Sequence, residues 1–186
     1  LARLLLATIA ELGGLTCATA SKTTRDACHV VGSIARNALD GGRDGRGRAR
    51  DLGNVAHDVV DLGEADYIIS FEKLEAARWA SCLREGGRII VNDRETDPMP
   101  VITGAATYPH EVLDSLKAKG VLIDDMDALT LAVEAGTAKV VNLVLMGRLS
   151  RYFPEISEDK WMRAIEECVK PKFVDINKKA FALGRA

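Results

Sequence analysis

The chain has 186 residues, a formal net charge of -2 and a hydrophobic fraction of 47%. This length suits one domain with its own core, and the small net charge argues against a nucleic-acid or membrane-surface partner. No apolar run approaches the roughly 20 residues that span a bilayer, and no signal peptide is recognisable. We therefore expect a single domain over residues 1–186, located in the cytoplasm.

Residues 1–14 have a helical pattern that ends at Gly13 and Gly14, and residues 15–19 suit a short strand. Because helices in parallel α/β proteins usually follow a strand, we expect a strand and its turn ahead of Leu1. Residues 24–39 carry a further helical pattern, which includes Val30 and Val31.

Residues 21–62 are anomalous, with few large apolar side chains, and residues 40–51 contain only aspartate, glycine, arginine and alanine. This composition favours a flexible, poorly ordered loop. An arginine-rich loop that binds RNA or phosphate is the alternative, although no aromatic residues interleave to stack on bases.

Residues 66–92 predict a strand, a helix and a second strand. The first strand is the apolar run at 67–71, the helix starts near Glu72, and the paired glycines at 86–87 are expected to end it. Residues 88–92 form the second strand. Two buried strands joined by one helix predict a parallel pair.

The pattern then continues with alternating strands and helices. The expected elements are a short edge strand at 101–103, a helix at 110–119, a strand at 121–124, a helix at 127–135 capped by Asp127, a longer apolar helix at about 137–152, a helix opening at Ser157 with a buried face of Trp161, Ile165 and Cys168, and a last helix at 175–183 ended by Gly184. We expect the longer apolar helix to be central or packed on another subunit. This order predicts an α/β fold: a three-layer, Rossmann-like, mostly parallel sheet flanked by helices.

No motif for catalysis is present: the chain lacks a GxGxxG, a P-loop, an HExxH and a G-x-S-x-G. We therefore name no catalytic residue. Glu72 and Asn92 follow the carboxyl ends of predicted strands, where open α/β sheets bind ligands, and Asn142 is a polar residue in an apolar helix. These three are weak candidates for cofactor binding. The structural alternative is that Glu72 serves the helix N-terminus, that Glu75 is solvated or pairs with Arg78, and that the asparagines brace the backbone.

The cysteines are widely spaced and include no C-x-x-C pair: Cys17, Cys28, Cys82 and Cys168. This spacing favours free thiols in a reducing compartment over a disulfide framework. It also supplies no ligand set for zinc or an iron–sulfur cluster, so we expect no metal site in this chain.

Four motifs in order resemble the gamma-type subunit of the 2-oxoacid:ferredoxin oxidoreductases. They are FEKLEA at 71–76, GGRIIVN at 86–92, NLVLMG at 142–147 and VDINKKAFALG at 174–184. The last motif, with the preceding VKPK, is most similar to the beta subunits of the indolepyruvate branch. The resemblance covers residues 1–15 and about 63–186.

Two features of that family have no match here. Its first strand and G-x-G-G-Q-G loop would stand ahead of Leu1, so we expect them to be missing from this sequence. Its H-G-M-x-Q-R-G-G segment would fall within residues 21–60. A shifted reading frame across this stretch is therefore a third interpretation of the glycine–arginine run, and sequencing the gene tests it.

The resemblance implies a non-catalytic subunit of a complex that oxidatively decarboxylates arylpyruvates such as indolepyruvate to an acyl-coenzyme A, with ferredoxin as electron acceptor. Thiamine diphosphate and [4Fe–4S] clusters are then expected in a larger alpha subunit, and no cofactor is bound by this chain alone. Ferredoxin and coenzyme A are partners through the complex. The alternatives are a gamma subunit for another 2-oxoacid, pyruvate or 2-oxoglutarate, and a free-standing small α/β nucleotide-binding protein.

Overall fold

The structure, a computed structural model, describes residues 28–31, 62–63 and 65–186, with side chains described from residue 62 onward. The helix expected at 1–14, the strand at 15–19 and most of the anomalous segment lie outside these residues. The described strands form one sheet in the order β1-β2-β3-β4. The strands are β1 (Cys28–Val31), β2 (Ala65–Ser70), β3 (Leu83–Asn92) and β4 (Leu122–Met126).

The sheet is mostly parallel. Strand β2 pairs with β3, and β3 with β4, in parallel, with Ile68 opposite Ile89 and Ile89 opposite Ile123. Strand β1 pairs with β2 in the antiparallel sense. The parallel pair predicted from residues 66–92 is confirmed.

Seven α-helices lie within the described residues. They are α1 (Lys73–Trp79), α2 (Met99–Ile102), α3 (Val112–Ala118), α4 (Ala128–Ala135), α5 (Val141–Ser150), α6 (Glu158–Cys168) and α7 (Val174–Arg185). Short 3-10 turns at Ala80–Cys82, Ala138–Val140 and Pro171–Phe173 precede β3, α5 and α7.

The helices cover both faces of the sheet. Because successive side chains of a strand point to opposite faces, Ile68 and Ile89 pack with Ala76 of α1 and Leu113 of α3. Their neighbours Ile69 and Ile90 pack in a larger core with helices α4 to α7. The arrangement is a sheet between two helical layers, which confirms the fold class expected from the sequence.

Helix α5 is central to the larger core, with seven of its ten residues buried. It crosses α7 at very close range, since a Cβ on Gly147 would lie 2.0 Å from the Phe181 carbonyl oxygen, and one on Gly184 would lie 1.9 Å from that of Val144. The sequence predicts that this apolar helix is either central or packed on another subunit. The structure shows it in the centre of the larger core.

Two expectations near the sheet are wrong. Helix α1 ends at Trp79, and Gly86 and Gly87 lie inside β3 rather than at a helix end. Gly86 does have a positive φ of 74°, a conformation that glycine adopts easily. It lies in the irregular part of β3, where the register with β2 shifts. Residues 99–102 form helix α2 instead of an edge strand, because Pro98 and Pro100 at its start favour a helical turn.

Three further expectations are wrong in part. Residues 28–31, within the helical pattern at 24–39, form strand β1, so pairing with β2 prevails over local periodicity. Gly184 does not end the last helix but lies inside α7, where it permits the contact with α5. Cys168 is exposed, while Trp161 and Ile165 of the same predicted face are buried.

Within the part of the chain that is described, no helix combines the length and the apolar character needed to cross a membrane.

Candidate functional site

The carboxyl ends of β2 and β3 open into a cleft of about 380 Å³. Helix α4 and the first turn of α5 form its other walls. The lining residues are Phe71, Asn92, Arg94, Leu129, Ala138, Lys139, Val141 and Asn142. The cleft therefore lies where open parallel sheets bind their ligands.

Asn92 fixes two walls of this cleft relative to each other. Its side-chain amide donates to the carbonyl oxygen of Phe71 at 3.1 Å, and its Oδ1 accepts from the backbone N–H of Ala128 at 2.9 Å. Asn92 is nearly fully buried. Both polar groups of its side chain are thus engaged in bracing the backbone beside the cleft.

Glu72 lies at the end of β2 but does not line the cleft. It is the N-cap of α1, where its Oε2 accepts from the N–H of Glu75 at 2.9 Å. Its Oε1 accepts from the N–H of Thr96 and from the hydroxyl of Tyr108. The carboxylate of Glu72 therefore fastens the segment after β3 to the start of α1. Glu75 pairs with Arg78 at 2.5 Å. This pairing is one of the structural roles expected for Glu75 from the sequence.

The buried hydroxyl beside Glu72 is held in its protonated form. Burial first, and then the hydrogen bond to the Glu72 carboxylate, raise the pKa of Tyr108. A phenol that donates to a carboxylate would bring two negative charges together on losing its proton. This contact thus keeps a neutral donor at the hydrogen bond throughout the physiological range.

Asn142 lines the cleft together with Asn92, in the first turn of α5. Its Oδ1 is buried and has no hydrogen-bond partner in the described residues. A buried polar atom of this kind ordinarily has a partner. Of the three candidates from the sequence, Asn92 and Asn142 are thus brought together and Glu72 is set apart.

The charge of the cleft is positive. Arg94 and Lys139 are its two charged lining residues, and both are exposed. The helix N-terminus of α5, which begins just after Lys139, adds further positive potential. Among the described residues that line it, none is an acid, so the cleft suits the binding of an anion.

Sequence reasoning missed Arg94 and Lys139. The two residues are 45 positions apart in the chain, and neither belongs to a motif. One signal was available for Arg94, since it lies two residues beyond the end of a predicted strand, at the ligand-binding edge. Lys139 had no comparable signal, because only the fold brings the start of α5 to this edge.

Across the residues with described side chains, no group of three or more histidine, cysteine or acidic residues could hold a metal ion. Cys82 is buried in the smaller core and Cys168 lies on the surface of α6. These side chains do not fit an iron–sulfur cluster, which takes several cysteine ligands close together.

A family model described as pyruvate ferredoxin/flavodoxin oxidoreductase matches residues 53–186. The chain is 40% identical over 135 residues to "Indolepyruvate oxidoreductase subunit IorB" of Thermococcus kodakarensis, covering 68% of this chain and 64% of that protein. It is 38% identical over 136 residues to the protein of the same name from Pyrococcus horikoshii, again covering 68% and 64%. With that of Archaeoglobus fulgidus it shares 32% over 136 residues, covering 72% and 68%. The chain thus spans under two thirds of the length of the first two relatives.

Among solved structures, the chain is similar to the gamma subunit of a keto/oxoacid ferredoxin oxidoreductase from Geobacter sulfurreducens. The TM-score is 0.47 at 18% identity, with 64% of this chain and 62% of that chain covered. Pyruvate oxidoreductase subunit PORC from Thermotoga maritima gives 0.45 at 18%, with 66% and 63% covered.

The family model matches well over half of the chain, and it covers all four motifs that carried the resemblance. The chain therefore belongs to the pyruvate ferredoxin/flavodoxin oxidoreductase family.

Proposed function

We propose that this chain is a non-catalytic subunit of a complex that oxidatively decarboxylates arylpyruvates such as indolepyruvate. The reaction converts the 2-oxoacid and coenzyme A to carbon dioxide and an acyl-coenzyme A, and passes two electrons to ferredoxin. The observation that carries the proposal is the 40% identity to a protein named as an indolepyruvate oxidoreductase subunit. Its cleft, in which Arg94 and Lys139 suit the binding of an anion, supports a binding role.

In this proposal thiamine diphosphate and the [4Fe–4S] clusters belong to a larger alpha subunit. The proposal places no cluster ligand on Cys82, which is buried in the smaller core, or on Cys168, which is exposed on α6. The complex would work in the cytoplasm, where ferredoxin and coenzyme A are available to it.

The chain contributes its cleft to the binding of coenzyme A. Arg94 and Lys139 would contact phosphate groups, because both carry a positive charge at the cleft and cations bind phosphate through charge-assisted hydrogen bonds. Asn142 would offer its buried Oδ1 to a donor of the ligand. The acyl transfer itself would occur on the partner subunit, so this chain binds and orients the acceptor.

The test is reconstitution. The chain is purified alone and also co-expressed with the proposed larger subunit. Each preparation is assayed for ferredoxin reduction with thiamine diphosphate, coenzyme A and one 2-oxoacid: indolepyruvate, phenylpyruvate, pyruvate or 2-oxoglutarate. We expect turnover from the pair alone, fastest with the arylpyruvates. Turnover by the lone chain would refute the accessory role, and a preference for pyruvate or 2-oxoglutarate would refute the substrate class.

A further inference from the structure

Arg94 carries an acidic residue on each side. Lys73 engages both acids, and Glu95 is also paired with His110, whose Nδ1 lies 2.7 Å from the carboxylate. The ammonium group of Lys73 lies 2.6 Å from the carboxylate of Asp93 and 3.3 Å from that of Glu95. The Asp93 contact, with a smaller contribution from Glu95, raises the pKa of Lys73. The lysine therefore stays charged at any physiological pH.

The backbone of Arg94 is held by the same part of the chain. Its carbonyl oxygen accepts from the backbone N–H of Lys73 at 3.0 Å, and its own N–H donates to the carbonyl oxygen of Asn92 at 2.7 Å. Arg94 is therefore fixed at its main chain, at the junction of β3 and the start of α1, while its side chain lines the cleft.

The guanidinium group of Arg94 remains available to a ligand. No described residue forms an ion pair or a side-chain hydrogen bond with it. The two neighbouring carboxylates have other partners: Lys73 pairs with both, and His110 pairs with that of Glu95. Lys73 is the most buried side chain of the Lys73, Asp93 and Glu95 group, with 18% of its side chain exposed against 47% for Asp93 and 33% for Glu95.

We propose that Lys73 is a positioning residue that keeps Arg94 unpaired for an anionic ligand, by engaging the carboxylates of Asp93 and Glu95. Without the lysine, Asp93 would lose its ion-pair partner and would turn to Arg94, while Glu95 would keep His110, so part of the positive charge of the cleft would be cancelled. The inference rests on the proposed binding of coenzyme A. A simple surface ion pair would instead add little to stability and nothing to binding.

The experiment measures the dissociation constant of desulfo-coenzyme A for the two-subunit complex by calorimetry. This analogue keeps every phosphate group but lacks the thiol, so no turnover accompanies binding. Arg94→Met should weaken binding about tenfold, as the loss of one charge-assisted contact does. Lys73→Met should weaken it about threefold, because competing carboxylates remove part of that contact.

The decisive variants remove the competing acids. Asp93→Asn with Glu95→Gln, added to Lys73→Met, should restore the affinity to within about twofold of wild type. The same two changes in the wild-type background should alter it less than about twofold. Lys73→Arg keeps both ion pairs and should bind normally. Lys117→Met removes another lysine paired with an aspartate, Asp125, and serves as the matched control.

The outcomes separate the two proposals. If Arg94→Met binds as wild type does, the cleft is not the coenzyme A site and the proposed role of the cleft fails. If Arg94→Met binds weakly but Lys73→Met binds normally, the positioning role of Lys73 is overturned. It is also overturned if removing the two acids fails to restore binding in Lys73→Met. Thermal unfolding of each variant confirms that folded complexes are compared.

Discussion

The α5–α7 helix pair and the carboxyl edge of the sheet are stabilised in different ways. The helix pair depends on shape, because Gly147 and Gly184 let two backbones approach to distances that no side chain would permit. The edge depends on a few polar side chains, namely Glu72, Lys73 and Asn92, each with specific partners. Substitutions of the two glycines should therefore destabilise the whole domain, whereas those at the edge should change local order and binding.

The largest effect is expected at the helix crossing. Gly147→Ala places a Cβ 2.0 Å from the Phe181 carbonyl oxygen, so the two helices must separate. We expect the free energy of unfolding to fall by about 3 kcal/mol, as for severe overpacking. Urea denaturation measures it. The sign of this change is informative, because helix propensity alone would make the alanine variant more stable by about 1 kcal/mol.

A control for this variant lies on the same helix pair. Ala182 is exposed on α7, and Ala182→Met should change the free energy of unfolding by less than about 0.5 kcal/mol. If Gly147→Ala proved as stable as wild type, the close crossing of α5 and α7 would be disproved.

The next effect is expected at Glu72. Glu72→Ala removes the acceptor for Glu75, Thr96 and Tyr108, and should lower the free energy of unfolding by about 2 kcal/mol. Hydrogen exchange should quicken first in residues 93–111. Glu111→Ala is the control, since that exposed side chain makes no capping hydrogen bond. Uniform acceleration across the domain would contradict a local role for Glu72.

A smaller effect concerns alkaline pH. Burial is the largest cause that raises the pKa of Tyr67, Tyr108 and Tyr152. In the unfolded chain these phenols lose their protons near pH 10, while the folded chain retains them. The free energy of unfolding should therefore be unaffected by them below pH 10 and should fall above it, by about 1 kcal/mol over the next pH unit for the buried Tyr108.

Absorbance of tyrosinate, followed in native and in urea-unfolded protein, checks this expectation. Tyr108→Phe should make the loss of stability above pH 10 less steep, whatever the lysines contribute in the same range. A native titration that coincides with the unfolded one would show that these hydroxyls are not shielded.

The smallest effect is expected at the exposed pair of Glu75 and Arg78, where 61% of the arginine side chain is exposed. Arg78→Gln should lower the free energy of unfolding by about 0.5 kcal/mol or less, and the difference should vanish in concentrated salt. A larger loss that persists in salt would mean that Arg78 contributes through packing.

The parts of the fold that were predictable are those where one local rule decides. The apolar strands around Ile68 and Ile89 were recognised from their composition, and Asp127 was recognised as a helix cap, which accepts from the N–H of Thr130 at 2.9 Å. Such signals need no knowledge of distant residues. They sufficed for the parallel sheet and the helices on its two faces.

The errors arose where distant contacts decide. Gly184 has the sequence signature of a helix end, but its actual role depends on Val144, which lies 40 positions earlier. Likewise, the cleft joins Arg94 to Lys139 through the folded sheet. The positive charge of the candidate site could therefore not be predicted from the sequence. Its location at the strand ends was expected, because Asn92 was recognised there.

The two hydrogen bonds of Asn92 also set the mechanical character of the cleft. One side chain of fixed length joins the end of β2 to the start of α4, so these two walls cannot move apart independently. A ligand would then enter a cavity whose width already exists and would lose little free energy in closing it. Lengthening this connection by one methylene, as in Asn92→Gln, would replace a preformed opening with an adjustable one.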